Sequence, residues 1–335
     1  MRATLATTGD PPDDEDGETE TAQQGEKGGS GMWRRGLIIA VLAVLTAAVM
    51  LMHASIPNQV GNLRSLTETF LPWIGVVVLV LLALAVARRS ATAVVAVALP
   101  AIVWFSLFGG TLTDKQSDGG DLTVVTHNVN DANPDPASTA RALAASGAEV
   151  VALEELSPSA ADAYVNALSG TYRYHSVQGT VGLWSKYRMS DTEPVGIMAW
   201  TRAMRSTIAT PKGPVTVFVA HLPSVRINPR GGFTADNRDA SARLLADAVR
   251  ADPSRRTILV GDLNGTTNDS ALSPVTSQLR SAQDVAGNGF GFTWPASFPM
   301  ARIDHILVRG VQPVSSWTLP ATASDHLPVA ASLKL

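Results

Sequence analysis

The sequence predicts an α/β sandwich placed behind three membrane-crossing helices, and three observations lead there. The apolar runs GLIIAVLAVLTAAVMLM (36–52), LPWIGVVVLVLLALAVA (71–87) and ATAVVAVALPAIVWFSLFGG (91–110) carry no ionised side chain. Each comes near the roughly 20 residues with which a helix crosses a bilayer. After residue 120, strand-like and helical runs alternate, the pattern of helices layered on sheets. Within that alternation WTRAMRSTIATPKGPVTVFVAHL reads as two strands joined by a Pro-Lys-Gly-Pro turn, an antiparallel hairpin. Hairpins beside crossovers make the sheets mixed rather than purely parallel.

Residues 1–31 hold the acidic run DPPDDEDGETE followed by Gln, Gly and Ser, too little apolar surface to fold, and read as a disordered cytoplasmic tail. A three-span membrane region occupies 32–110. The first run is no signal peptide, because it follows the acidic tail and is succeeded by two more apolar runs. Arg34 and Arg35 precede the first run, Arg88 and Arg89 separate the second from the third, and Arg64 lies between the first two. Basic residues flanking spans favour the cytoplasmic side. The amino terminus and the 88–90 turn are therefore expected in the cytoplasm and everything after 110 outside it, giving a multi-pass protein of the cell membrane. TLTDKQSDGG (111–120) reads as a polar tether, and 121–335 as one domain, a size one α/β core accommodates.

That domain carries 18 Lys and Arg against 18 Asp and Glu, so it has no overall basic field of the kind nucleic-acid binding exploits. With no cysteine in the chain there is neither a disulfide nor a thiolate metal site.

The elements follow in order. DLTVVTHNVN and EVVALEEL read as strands, each followed by a helical run, STARALAASGA and SPSAADAYVNALSG. The hairpin comes next, then the helical DASARLLADAVRA and the strands TILVGDLN, RIDHILVRG and LPVAASLKL. Polar residues recur where the strands end. Asn128 ends TVVTHN, Glu155 ends VVALEE, His221 ends VTVFVAH, and Asp262 with Asn264 end ILVGDLN. Asp304 and His305 interrupt RIDHILV, and Asp325 and His326 precede LPVAASL. Singly, the asparagines read as turn formers, Asp262 as a cap and the histidines as core residues. Together they point to a shared task, because burying so many ionisable groups without one is costly. Residues two apart on a strand share a face, so Asp262 and Asn264 are expected to point together.

The ordered set HNVN, VVALEEL, GLWSKY, VAHL, GDLN, RIDHIL and SDHLP resembles the endonuclease/exonuclease/phosphatase superfamily over roughly 121–335, with GDLN and SDHLP the most specific parts. The resemblance implies a deoxyribonuclease-I-like fold, two packed mixed β-sheets flanked by helices in a four-layer sandwich. It implies hydrolysis of a phosphodiester or phosphomonoester with a divalent cation, Mg²⁺ or else Mn²⁺ or Ca²⁺. On the matching positions Glu155 and Asn128 would hold the cation, with Asp325 near it. Asp262 would activate the attacking water, and Asn264 would donate to a phosphate oxygen. His326 would contact the phosphate, Asp304 would orient its ring, and His221 would complete the phosphate pocket. Hard oxygen ligands suit such a cation, which neutralises charge developing on an anionic ester.

Two positions depart from the family pattern. Gln commonly precedes the metal-binding Glu, and here that place is Glu154, so either Glu154 or Glu155 is the candidate ligand. Strand alternation groups Glu155 with Leu153 and Val151, and the family register also selects Glu155. In GLWSKYRMS, Arg188 stands where Pro is common. His221 resembles the deoxyribonuclease, sphingomyelinase and inositol phosphatase branches, where abasic-site endonucleases carry Asn. Substrates left open are nucleic acid, a lipid headgroup and a sugar phosphate; the bilayer is the other partner, and no protein partner is inferred. Arg226, Arg230, Arg238 and Arg243 either contact such a substrate or belong to a solvated loop and helix surface, with Arg238 and Arg243 on that surface. Trp184 and Trp294 either stack on substrate or fill the core. The alternative function is a non-catalytic phosphate-binding or sensor module.

Overall fold

A computed structural model describes residues 36–59, 61–228 and 232–335. The acidic segment 1–31, Arg34, Arg35 and Arg230 lie outside the described residues.

Helices α1 (Leu37–Met52) and α4 (Ala91–Phe108) extend through 3₁₀ turns to Ser55 and Leu112. At 19 and 22 residues, these two are long and apolar enough to cross a membrane. The second apolar run, expected as a full span, is broken near its start. Its helix, α3 (Ile74–Ala87), has only 14 residues, because Pro72 sits in a 3₁₀ turn, Leu71–Trp73, ahead of it. Proline offers no N–H to a helix interior and so starts helices rather than continuing them. With α2 (Leu63–Thr69) it reaches spanning length only as a pair bent by 65°.

The apolar helices run back and forth. Ser90 caps α4 by accepting from Ala93 N–H, and a Cβ on Gly36 would stand 1.9 Å from Ser90 Oγ, so the start of α1 packs on the α3–α4 turn. The opposite end, 53–59, 61–73 and 108–112, rests on the sandwich domain: Trp73 stacks on Phe292 with centroids 5.9 Å apart, and Phe108 packs on Phe290 at 6.0 Å.

The sandwich follows. Strands β1 (Leu122–Asn128), β2 (Val150–Glu154), β3 (Tyr174–Gln178), β4 (Val181–Ser185), β13 (Gln312–Thr318) and β14 (Val329–Lys334) form one sheet in the order β13-β14-β1-β2-β4-β3. Strands β5 (Met189–Pro194), β6 (Ala203–Thr210), β7 (Gly213–Ala220), β10 (Thr257–Asp262), β11 (Arg280–Ser281) and β12 (Asp304–Arg309) form the other, ordered β11-β12-β10-β7-β6-β5. Both are mixed, with β1 parallel to β2 and antiparallel to β14, and β10 parallel to β7 and antiparallel to β12. A short ribbon, β8 (Ile227–Asn228) and β9 (Gly232–Phe233), stands apart.

Alternate side chains sort into three cores, as a pleated strand requires. Val124, Val150, Ala152, Val217, Val260 and Ile306 fill the space between the sheets. Val125, Val151 and Leu153 face helices α5 (Pro136–Ala145) and α6 (Pro158–Leu168). Phe218, Leu259 and Leu307 face α7 (Asp236–Ala251). These are the expected two packed mixed sheets flanked by helices. The expected tether is not loose: Ser117 N–H donates to the Val314 carbonyl at 2.7 Å, and Gln116 Nε2 to the Ser316 carbonyl at 2.7 Å.

Candidate active site

The carboxyl ends of β1, β2, β7 and β10 deliver Asn128, Glu155, His221 and Asp262 to one end of the sandwich, where Asp304 and His326 meet them. Asp262 ends β10 and is buried. Gly261 beside it has φ +134°, and a Cβ there would stand 2.0 Å from the Ala220 carbonyl oxygen. Only glycine lets β10 approach β7 at this point.

Asp262 Oδ1 accepts from Asn264 N–H at 2.8 Å, and Oδ2 accepts from Asn128 Nδ2 and Asn264 Nδ2, each at 3.0 Å. A carboxylate has about four lone-pair sites, so about one is left for a further donor. Burial, then repulsion from Asp304, push the Asp262 carboxyl up to about 7, against the opposing His326 charge and the hydrogen bonds from Asn128 and Asn264.

The second pair crosses the sheets. His326, in the loop before β14, sets Nδ1 2.9 Å from Asp304 Oδ2 on β12, while its Nε2 lies 3.9 Å from Asp262 Oδ2. Burial alone would lower the imidazole, but the carboxylates of Asp304, Asp262 and Asp325 outweigh it and raise His326 to about 10. Burial would likewise raise Asp304, yet the charge and hydrogen bond of His326 and a hydrogen bond involving Thr293 hold it below the usual carboxylate range. His326 therefore carries its proton at neutral pH. The Asp262, Asp304 and His326 groups lie within 4.8 Å of one another, two carboxylates around one imidazolium.

Glu155 reaches this group by a route that alternation does not describe. β2 ends at Glu154, and Glu155 takes φ +59°, in the left-handed region. Leu153 and Val151, with which alternation grouped it, face the outer helices, whereas Glu155 Oε1 lies 3.4 Å from His221 Nε2 and the side chain lines the cavity. Glu154 is fully buried instead, with Oε1 accepting from Thr126 Oγ1 at 2.8 Å. Its carboxyl is pushed well above the usual range by burial. Asn264 departs from the strand in the same way, at φ +47°, so the turn rather than a shared strand face brings its carboxamide onto Asp262. Both its amide hydrogens are engaged, by Asp262 and by the Leu222 carbonyl at 3.0 Å.

His221 Nε2 is 3.6 Å from Asp262 Oδ2. Burial, then the charges of Arg202 and His326, depress its pKa far below the ordinary value, so it is neutral. Asn128 Oδ1 accepts from Asn130 N–H at 3.0 Å, and Asp325, exposed at the rim, accepts from Asn130 Nδ2 at 2.8 Å and Trp294 Nε1 at 3.3 Å. The structure thus brings all eight candidate residues to one end of the domain, with Glu155, Asp262, Asn264, Asp325 and His326 lining a cavity of about 510 Å³.

Two arginines escaped the sequence reading. Arg202 donates from Nε to the His221 carbonyl at 3.0 Å and sets Nη2 2.6 Å from His221 Nδ1. Arg238, expected either at the substrate or on a helix surface, is instead fully buried: it pairs with Asp269 at 2.7 Å and donates to the Asn264 carbonyl at 2.9 Å, holding the loop after Asp262. Nothing in the helical pattern of α7 marks it, because beyond its neighbour Asp239 its partners Asp269, Asn264 and Ser65 lie far along the chain. Arg243 and Arg226 are exposed, and Arg226 lines the cavity. Trp184 is core, whereas Trp294 lines the cavity.

The donor set suits a hard cation. Glu155, Asp262 and Asp325 offer carboxylate oxygens to the cavity, and the neutral His221 adds no opposing charge beside Glu155.

No curated protein matches the sequence. Among solved structures, TDP2 from D. rerio complexed with single-strand DNA product superposes with a TM-score of 0.55 at 17% identity, covering 64% of this chain and 99% of that one. The mannosyl-6-phosphatase of Bacteroides thetaiotaomicron superposes at 0.53 with 16% identity, over 64% and 100% of the two chains. The beta toxin of Staphylococcus aureus does so at 0.51 with 17% identity, over 63% and 99%. At these identities the likeness is one of fold. The sequence itself matches the endonuclease/exonuclease/phosphatase family across residues 125–326, more than half of its length, and the chain belongs to that family.

Proposed function

We propose that the chain is a membrane-anchored phosphoester hydrolase, dependent on a divalent cation, whose site faces outside the cytoplasm. One observation carries the reading: the buried Asp262 carboxylate, held by Asn128 and Asn264, stands 3.9 Å from His326 Nε2, whose Nδ1 is paired with Asp304, so a base and a charge-bearing donor face the same point. The superposed phosphatase and the TDP2 complex with a DNA product act in the same direction. A non-catalytic phosphate-binding module would have no need of a base held in this way.

Asp262 takes a proton from water through its remaining lone pair, held in register by Asn128 and Asn264. The water oxygen forms the new bond to phosphorus, the ester bond breaks, and the leaving oxygen takes a proton from solvent. His326, kept charged and oriented by Asp304, donates Nε2–H to a phosphate oxygen as negative charge develops there. Neutral His221, backed by Arg202, offers a second polar contact. Asn264 fixes Asp262 with one amide hydrogen and can donate the other to phosphate by giving up the Leu222 carbonyl. Glu155, with Asn128 and Asp325 nearby, would hold the cation, which supplies Lewis-acid stabilisation of the phosphate charge, Mg²⁺ being the favoured ion.

The back-and-forth path of the apolar helices supports a third crossing by α3, with the 88–90 turn and the amino terminus in the cytoplasm. The test is turnover of bis(p-nitrophenyl) phosphate by the full chain in detergent micelles. Hydrolysis with Mg²⁺ that stops with excess chelator supports the reading, and absence of hydrolysis of every phosphoester offered removes it.

A further inference from the structure

The segment joining α1 to α3 is clamped onto the sandwich domain. Asn62 Nδ2 donates to the Phe233 carbonyl at 2.6 Å, and Phe233 N–H donates to the Gly61 carbonyl at 2.8 Å. The fully buried Glu68 accepts from Ser270 N–H at 2.8 Å and from the Ser270 hydroxyl. Trp73 Nε1 donates to the Met300 carbonyl at 2.8 Å. As a result Thr69 and Phe70 form part of the wall of the cavity that holds Glu155, Asp262 and His326. Phe70 stands four residues before Ile74, where α3 begins, at most about 14 Å along the chain. The reacting cavity therefore opens within about 14 Å of the apolar helix ends, at most about two headgroup layers of roughly 5–8 Å each.

The cavity chemistry agrees with that position. Phe70, Val225, Phe233, Trp294, Ala301 and Ile303 share its surface with the carboxylates, and Arg226 is the one Lys or Arg among its described lining residues. A nucleic acid is held chiefly by basic side chains along its backbone, and among the described residues this surface shows one, Arg226. Beyond the Phe70–Trp73 turn, an apolar groove of about 700 Å³ runs between α3 and α4, lined by Trp73, Leu79, Ala98 and Trp104 and by Phe290 and Phe292 of the sandwich domain. It offers hydrocarbon a continuous apolar path up to the turn that carries Phe70.

We propose that the site takes the phosphoester headgroup of a lipid lying in the same bilayer as α1 and α4, with Phe70 as a specificity-determining contact for the apolar part of that lipid. This rests on the phosphoesterase reading above. Confining site and substrate to one surface raises their effective concentration, by a factor on the order of 10² or more in comparable tethered systems.

The test uses the full chain reconstituted with Mg²⁺ in vesicles containing phosphatidylethanolamine, phosphatidylglycerol, phosphatidylinositol, cardiolipin and sphingomyelin, with products followed by phosphorus NMR. Parallel samples receive the deacylated, water-soluble counterparts, bis(p-nitrophenyl) phosphate and a single-stranded DNA oligonucleotide. At least one lipid should be hydrolysed about 10²-fold faster than its deacylated counterpart. Phe70→Ser should narrow that ratio by about tenfold, the scale of one lost apolar contact, with thermal unfolding confirming that the variant folds. Hydrolysis of the soluble esters or the oligonucleotide as fast as every lipid overturns the inference and leaves the phosphoesterase reading standing. No hydrolysis of any phosphoester overturns both.

Discussion

His326 and Asp304 join the two sheets: the imidazole Nδ1 from the loop before β14 lies 2.9 Å from a carboxylate oxygen on β12. The pair keeps His326 protonated although it is largely buried. Asp304→Asn removes the charge and keeps the shape. Turnover should fall on the order of 10²-fold, with little change in KM for a soluble phosphodiester. Steady-state kinetics checks this, and an unchanged kcat would remove His326 from the charge-stabilising role.

Glu155 and Glu154 separate by burial. Glu155→Gln should weaken Mg²⁺ binding, because it removes one formal charge from an oxygen-ligand site. Glu154→Gln should leave it nearly unchanged, because burial already favours the neutral acid there. Titrating turnover against Mg²⁺ concentration compares them, and a larger effect at Glu154 would move the metal ligand by one residue.

These two glutamates show what the sequence made legible and what it hid. Strands β1, β2, β6, β7, β10, β12 and β14, the mixed pairing and the gathering of Asn128, His221, Asp262, Asp304 and His326 at strand ends follow from apolar runs that stop at polar residues, whereas the edge strands β3, β5 and β13, with little buried apolar surface, give no such run. The orientation of Glu155 does not, since alternation holds only inside a strand and β2 stops one residue earlier. Asn264 is the same case one turn beyond β10. Arg238 was hidden for another reason. Its burial depends on Asp269 and Ser65, partners 31 and 173 residues away, which no local period reports. The shape of the second apolar run was hidden too, because hydropathy counts residues and does not register the break at Pro72 that leaves a 14-residue helix.

Arg238→Met should destabilise the chain by about 3–5 kcal/mol, the scale of breaking a buried ion pair by removing one partner. It also frees the Asn264 carbonyl, so the folded fraction should turn over more slowly. Denaturant unfolding and kinetics on one preparation test both, and a variant of unchanged stability would contradict the buried pairing.

Gly261→Ala forces a Cβ to 2.0 Å from the Ala220 carbonyl oxygen at φ +134°. The cost should exceed about 1 kcal/mol, because neither the backbone angle nor the space suits a side chain. A lowered thermal midpoint is expected, and an unchanged one would argue against the close approach of β7 and β10.

The proposed orientation predicts that a reporter fused after Leu335 is active only outside the cytoplasm and one fused at Arg89 only inside. A cytoplasmic carboxy terminus would overturn the sidedness.

The central claim is that Asp262 is the base. Asp262→Asn keeps the size of the side chain and removes the proton acceptor. The measurement is Mg²⁺-dependent phosphodiester turnover beside thermal unfolding on the same protein. The account predicts a folded variant with kcat lowered on the order of 10²-fold or more and KM little changed. Asn264→Ala should also lower kcat, and the double variant should lose less than the product of the single losses, because both residues act on one transition state. A stable Asp262→Asn protein with full turnover would contradict the assignment.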